Sequence, residues 1–153
     1  MNKQMKIAGV APLIAIPTLL YLIITVTISI SSNRTFMIAQ SSYPVFEGIG
    51  VLLVLIGIIM VFNCARKLRI SFNSGILMTD GLYRIFRNPM YASYLLFIIP
   101  GICFLFNSSL ALSTIFINYI LFTVFIRREH SYLEEKFGSE YKEYLKKVVI
   151  KFL

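Results

Sequence analysis

The chain has 153 residues, a formal net charge of +8, 58% hydrophobic residues and only 14% charged ones, whereas ordinary soluble domains sit nearer half apolar and a quarter charged. With a mean hydropathy of +0.78, this composition argues against a water-soluble domain and for a single unit embedded in a bilayer. Nucleic acid is not an expected partner: no groove-reading motif is visible, and the basic residues hug the ends of apolar blocks.

Four such blocks occur, at about 7–30, 45–64, 91–106 and 110–126. Each is continuous rather than alternating, which favours helices over strands, and a helix needs roughly 20 apolar residues to cross the hydrocarbon core. The first carries no charge. Lys3 and Lys6 precede it as they would a signal peptide, but it is too long for an h-region and no small-residue cleavage site follows, so it reads as an uncleaved span. The second has Glu47 at its exofacial edge, and its Gly48, Gly50 and Gly57 permit close helix packing within or between chains. The third is short for a span. Only Asn107-Ser108-Ser109 separate it from the fourth, so the two should form a tight antiparallel hairpin. Cys64 and Cys103 lie in or beside different spans without metal-ligand spacing and read as packing, so no metal is expected. The expected fold is an all-α membrane protein of four transmembrane helices, with residues 127–153 as a cytosolic amphipathic helical tail.

Charge sets the orientation. Every lysine and arginine except Arg34 falls in the N-terminal tail, in the loop between the second and third blocks or in the C-terminal tail. The positive-inside rule makes that side cytosolic, with both termini on it. The surplus charge also suits anionic lipid. The compact four-span design without retention or transit signals points to a prokaryotic inner membrane.

Polar chemistry is confined to two cytosolic segments that the third and fourth spans pin together. In the loop 66–89, Gly75 and Gly81 permit turns or close backbone approach to a ligand. Pro89 suits the first turn of the third span, whose N-terminal N–H groups would face the cytosol and accept an anion. From the residues alone the plainer reading is an ordinary loop with an interfacial aromatic belt of Tyr83, Phe86 and Tyr91. In the tail, Leu133, Phe137, Tyr141, Tyr144, Leu145 and Val148 recur at spacings of three and four, an amphipathic stripe that Gly138-Ser139 divides. Glu129 follows the fourth block directly. A carboxylate there needs a partner: Arg127, Arg128, or the hydroxyls and amines of a ligand. His130 is the only histidine, and the plain reading of it is a solvated or capping group.

The stretch Gly81-Leu82-Tyr83-Arg84-Ile85-Phe86-Arg87-Asn88-Pro89-Met90-Tyr91, followed past a hairpin by Glu129 and then by Phe137-Gly138-Ser139-Glu140-Tyr141-Lys142-Glu143-Tyr144, resembles the isoprenylcysteine carboxyl methyltransferase family and its relatives, the phospholipid N-methyltransferases. That family has an Arg-His-Pro-x-Tyr motif before a helical hairpin, then paired glutamates and Phe-Gly-x-x-Tyr-x-x-Tyr. The resemblance covers about residues 75–148. It implies S-adenosylmethionine as methyl donor, held from the cytosolic side by the stretch Gly75, Ile76, Leu77 and Met78, largely through backbone, and by Tyr83, Asn88, Pro89, Met90, Tyr91 and Glu129. It implies a lipophilic or lipidated acceptor, with Arg127 and Arg128 as candidate substrate-binding residues; no catalytic residue is assigned. Four positions depart from the pattern: Asn88 stands for the motif histidine, Ser93 for a glycine of the phospholipid enzymes, His130 for the second glutamate, and Phe125 for an arginine of the prenylcysteine enzymes.

The function expected is therefore methyl transfer from S-adenosylmethionine to a carboxylate, amine, thiol or hydroxyl of a membrane-resident acceptor. Two rivals stand beside it: an NADPH-dependent membrane reductase of the sterol-reductase type, which has a similar hairpin, and a non-catalytic membrane scaffold. Neither the acceptor nor the oligomeric state can be read from the residues.

Overall fold

The computed structural model describes residues 9–32, 35–39 and 42–153, with residues 72 and 73 through their backbone only. The flanking charges Lys3, Lys6 and Arg34 lie outside the described residues. Among these residues the chain is all-helical: α1 (Ala11–Ser31), α2 (Tyr43–Ser74), α3 (Leu82–Ile85), α4 (Pro89–Ser93), a π-helical turn (Tyr94–Ile98), α5 (Ile99–Leu105) and α6 (Ser113–Lys147). Among the described residues the bridges outside helices are two isolated ones, Met37 with Ser108 and Phe86 with Ile150. Helices α1 and α2 are each long and apolar enough to cross a membrane, and Pro89–Leu105 is a shorter apolar helix.

The burial pattern is inverted relative to a protein in water. The buried stripe of α1 is Ile14, Thr18, Leu22, Thr25 and Ser29, while Leu19, Leu20, Ile23 and Ile24 are more than half exposed. Such a contiguous apolar surface suits lipid, and small and hydroxylated residues suit helix contacts within it. The hydroxyls of Thr18 and Thr25 are satisfied locally, on the Ile14 carbonyl at 2.7 Å and the Tyr21 carbonyl at 3.0 Å. Across to α6, Asn118 Nδ2 donates to Thr18 Oγ1 at 3.1 Å, and the Tyr21 and Ser113 hydroxyls share a hydrogen bond of 3.0 Å.

Helix α2 packs by closeness instead. Its buried positions Gly50, Gly57, Cys64 and Ser71 recur every seven residues, a seam of small side chains. Against it lies Gly101 of α5. A Cβ built at Gly50 would stand 2.8 Å from the Gly101 carbonyl oxygen, whereas one at Gly48 would meet nothing within 4 Å. The glycine packing expected from the sequence is thus intramolecular at Gly50 and Gly57.

Proline shapes the third helical segment. Pro89 opens α4 and Pro100 opens α5. Pro100 has no N–H and crowds the carbonyl one turn before it; the π-helical turn precedes it, with the Ile99 N–H reaching back to the Tyr94 carbonyl. The connection to α6 is longer than the three residues expected. It occupies 106–112, because Asn107 at φ 48 turns its side chain onto the first loop, accepting from Ile38 and Ala39 N–H at 3.1 and 3.0 Å and donating to the Ala39 carbonyl at 2.6 Å. Residues 35–39 and 106–109 therefore share one end of the helical bundle.

At the other end, α2 stops at Gly75, which holds the left-handed conformation (φ 67, ψ 17) that a helix C-cap favours. Helix α6 runs past the last apolar block and breaks at Gly138 (φ 49, ψ −116), where the sequence stripe divides. Beyond Lys147 the chain folds back along the loop: Ile150 N–H donates to the Ile85 carbonyl at 2.8 Å and Arg87 N–H to the Ile150 carbonyl at 3.0 Å. Leu153 is buried in the cluster of Val10, Ile14, Tyr91, Ala92, Leu95, Phe122 and Ile126.

The α2–α5 seam gives a stability test. Gly50→Val should lower the thermal unfolding midpoint in detergent, by about 1–3 kcal/mol of overpacking, while Gly48→Val should leave it unchanged. Equal effects would mean that the two helices do not meet at Gly50.

Candidate active site

A cavity of about 230 Å³ opens where the loop, the tail and the helix ends meet. Its wall takes Ala11 from α1, Leu68 and Ser71 from α2, Leu77 and Met78 from the loop, and Tyr83 from α3. Arg87, Asn88, Pro89, Met90 and Tyr91 follow around the start of α4, then Glu129, Leu133 and Phe137 from α6, and Tyr141 and Tyr144 beyond its break.

The tail forms one wall through two tyrosines three residues apart, hence on one helical face. The Tyr144 hydroxyl donates to the Tyr83 carbonyl at 2.8 Å, and the Tyr141 hydroxyl accepts from Arg87 Nε and Nη2 at 3.2 and 2.9 Å. Burial raises both phenols above their ordinary range, Tyr144 to about 12, with Arg87 pulling Tyr141 the other way. Burial also raises Tyr83. All three phenols are held neutral, the Tyr144 hydroxyl fixed as a donor and the Tyr141 hydroxyl as an acceptor.

Glu129 projects into the same space. The Tyr91 hydroxyl donates to its Oε2 at 2.9 Å, and the Val10 main-chain N–H, at the start of α1, donates to its carboxylate. Burial pushes its pKa up, against the pull of these two donors. Among the described residues no cation stands within ion-pairing distance of it. The expected pairing with Arg127 or Arg128 is not formed. Both arginines are exposed and outside the cavity wall, and the Arg128 guanidinium lies 5.8 Å from the Phe125 ring centroid.

Asn88 is buried at the N-cap position of α4. Its Nδ2 lies 3.2 Å from His130 Nε2. Burial, reinforced by the nearby Arg87 charge, pushes the His130 pKa down to about 4, so the imidazole is neutral at ordinary pH. Ser93 is fully buried, its hydroxyl donating to the Pro89 carbonyl at 2.7 Å, so the larger residue in place of glycine leaves no polar atom stranded there.

Of the ten residues expected to hold a cofactor, Leu77, Met78, Tyr83, Asn88, Pro89, Met90, Tyr91 and Glu129 line the cavity. Gly75 and Ile76 do not: Gly75 ends α2, and Ile76 is 59% exposed, its carbonyl accepting the Ser71 hydroxyl. The sequence reading did not anticipate Ala11, Leu68 and Ser71. Ser71, a hydroxyl in register with the small residues of α2, was the one signal for them. On the rim, Lys67 Nζ pairs with Asp80 Oδ2 at 2.7 Å and holds the Asp80 pKa below its usual value.

A family model described as phospholipid methyltransferase matches residues 45–140. A probable protein-S-isoprenylcysteine O-methyltransferase of Oryza sativa subsp. indica is 36% identical over 75 residues, 47% of this chain and 38% of the relative. Protein-S-isoprenylcysteine O-methyltransferase B of Arabidopsis thaliana is 32% identical over 72 residues, 47% of this chain and 36% of the relative. The matched part of the chain thus spans little more than a third of the length of these curated relatives. No solved structure matches.

The histidine gives a pH test. Because its folded pKa is depressed from 6.5 to about 4, the folded state binds fewer protons than the unfolded state in that window. The stability it carries is whole above about 6.5 and is lost as pH falls through 4. Thermal melts in detergent should show a smaller loss between pH 6.5 and 4 for His130→Gln than for the wild type; parallel curves would show that His130 titrates normally.

Proposed function

The chain belongs to the phospholipid methyltransferase family, and we propose that it transfers a methyl group from S-adenosylmethionine to a lipophilic acceptor resident in the membrane. The observation that carries this reading is Glu129: a carboxylate in a largely apolar cavity, held by one hydroxyl and one N–H, with no cation of its own among the described residues. Such a group is suited to a ligand that brings amino or hydroxyl donors.

The remaining walls fit the same ligand. Tyr83 and Tyr91 offer aromatic faces, which favour a sulfonium cation. The α4 N-terminus, opened by Pro89 and flanked by Asn88, suits a carboxylate. When bound, S-adenosylmethionine supplies an electrophilic methyl group on sulfur. The protein's part is alignment and exclusion of water, since an in-line displacement needs these more than a strong acid or base. Leu77, Met78, Leu133 and Phe137 provide the apolar lining. Gly75 and Ile76 would then support the loop rather than touch the cofactor. Arg127 and Arg128, being exposed, suit an anionic headgroup or acceptor at the membrane surface.

The reading includes four membrane spans with the cavity and both termini on the cytosolic side. What supports it is the sharing of ends: the first loop meets the 106–112 turn, while the start of α1, the loop after α2 and the tail meet at the cavity. An acceptor would enter from the bilayer and the polar cofactor from the cytosol.

Calorimetric titration of the detergent-solubilised protein with S-adenosylhomocysteine, with NADPH as control, tests the cofactor. Micromolar binding of the former alone is expected; binding of NADPH alone would make the protein a reductase. Glu129→Gln should weaken binding by more than tenfold, since charge-assisted hydrogen bonds contribute about 1.5–3 kcal/mol. Replacing the exposed Glu134 or Glu135 by glutamine should change little, and equal effects from all three would remove Glu129 from the site.

A further inference from the structure

The two motif positions at which the chain carries Asn88 and His130 are in contact. His130 Nε2 lies 3.2 Å from Asn88 Nδ2 and 3.4 Å from Asn88 Oδ1. Asn88 lines the cavity and is 7% exposed; His130 is not part of the cavity wall. A neutral imidazole offers one donor and one acceptor, whereas an amide offers two donors on nitrogen and an acceptor on oxygen. With the shorter contact, from the amide nitrogen, taken as the hydrogen bond, Nε2 is the acceptor and the imidazole proton sits on Nδ1. One Asn88 N–H is then consumed, and the second N–H and the carbonyl oxygen remain. Without the imidazole, the amide can turn over and exchange its two ends.

We propose that His130 is a positioning residue: it fixes the Asn88 amide so that the start of α4 presents one donor and one acceptor side by side, a pair that fits the carboxylate and ammonium of an amino-acid group. The ligand half of this inference rests on the methyl-donor reading above, because that cofactor ends in such a group; the pairing itself does not. The two motif departures are accordingly one coupled change, in which a neutral amide and a neutral imidazole serve each other.

His130 is the only histidine in the chain, so histidine labelled with nitrogen-15 gives one imidazole signal from the whole protein in detergent. The Nδ1–H tautomer is expected, shifting to a mixture of tautomers in Asn88→Ala. An Nε2–H tautomer in the wild type, or a signal indifferent to Asn88→Ala, would overturn the pairing. In calorimetry with S-adenosylhomocysteine, His130→Ala should weaken binding about tenfold, the loss of roughly one hydrogen bond's worth of orientation. His130→Gln, which retains an acceptor and a donor, should restore it to within about threefold by the same measure. On an Asn88→Ala background, His130→Ala should add nothing; additive losses would show that His130 does not act through Asn88. Melting curves on the same samples separate these effects from unfolding. Wild-type protein that binds no S-adenosylhomocysteine would overturn the methyl-donor reading and the ligand half of this proposal, while the imidazole signal would still decide the pairing.

Discussion

The hydrogen bond from the Tyr144 hydroxyl to the Tyr83 carbonyl, at 2.8 Å, is the contact on which the cavity depends. Buried loop carbonyls must find donors, and here the donor comes from a helix 61 residues away in sequence. The tail can deliver them because α6 breaks at Gly138. With φ 49 and ψ −116, that residue lies where a Cβ is strongly disfavoured, so a glycine sets the direction in which the tail departs. Tyr141 then meets Arg87, and the strap 148–153 pairs with residues 84–87. Remove the turn and the loop loses its wall, its donors and the cover over its apolar residues together.

The same region explains how a carboxylate is tolerated at the end of an apolar block. Glu129 receives the Val10 N–H, at the point where α1 begins. An unpaired N–H there carries part of the positive end of the helix dipole, so the carboxylate supplies what α1 needs and is supplied in return. The Tyr91 hydroxyl adds a second donor from α4. Two helix N-termini thus converge on one cavity. A charge balanced by dipoles and hydroxyls keeps hydrogen-bonding capacity for a ligand, which a bidentate arginine would have taken up.

Much of this was legible in the sequence, and the rest has identifiable reasons. Long apolar blocks show themselves because the bilayer imposes a length on them, and Gly138 because nothing else breaks the stripe from Leu133 to Val148. The Tyr141 and Tyr144 spacing declared a shared face, though not the loop it meets. What the sequence hid was pairing between distant segments. The Thr18 hydroxyl and the Asn118 amide on facing helices look like scattered polar groups until α1 lies on α6. The seven-residue recurrence of Gly50, Gly57, Cys64 and Ser71 is drowned by the leucines and isoleucines around it, since a block that is apolar on every side carries almost no periodic signal. Asn88 and His130, 42 positions apart, read as two separate departures from a motif because adjacency across a hairpin leaves no mark in a single sequence.

The titration behaviour of the cavity ties its architecture to the chemistry proposed for it. Burial drives five groups that line or back it toward their uncharged forms: Tyr83, Tyr141, Tyr144 and Glu129 upward, His130 downward. A histidine working as a general acid or base would be poised near its operating pH, and the surroundings here move His130 away from that point. A displacement at a sulfonium methyl asks for something else. The positive charge on sulfur is lost as the methyl group leaves, so a dry enclosure with few competing charges favours the transition state over the bound reactant. Under the proposed function, an enclosure built by folding a tail across a loop would give that dryness and leave a polar cofactor and a lipophilic acceptor separate ways in.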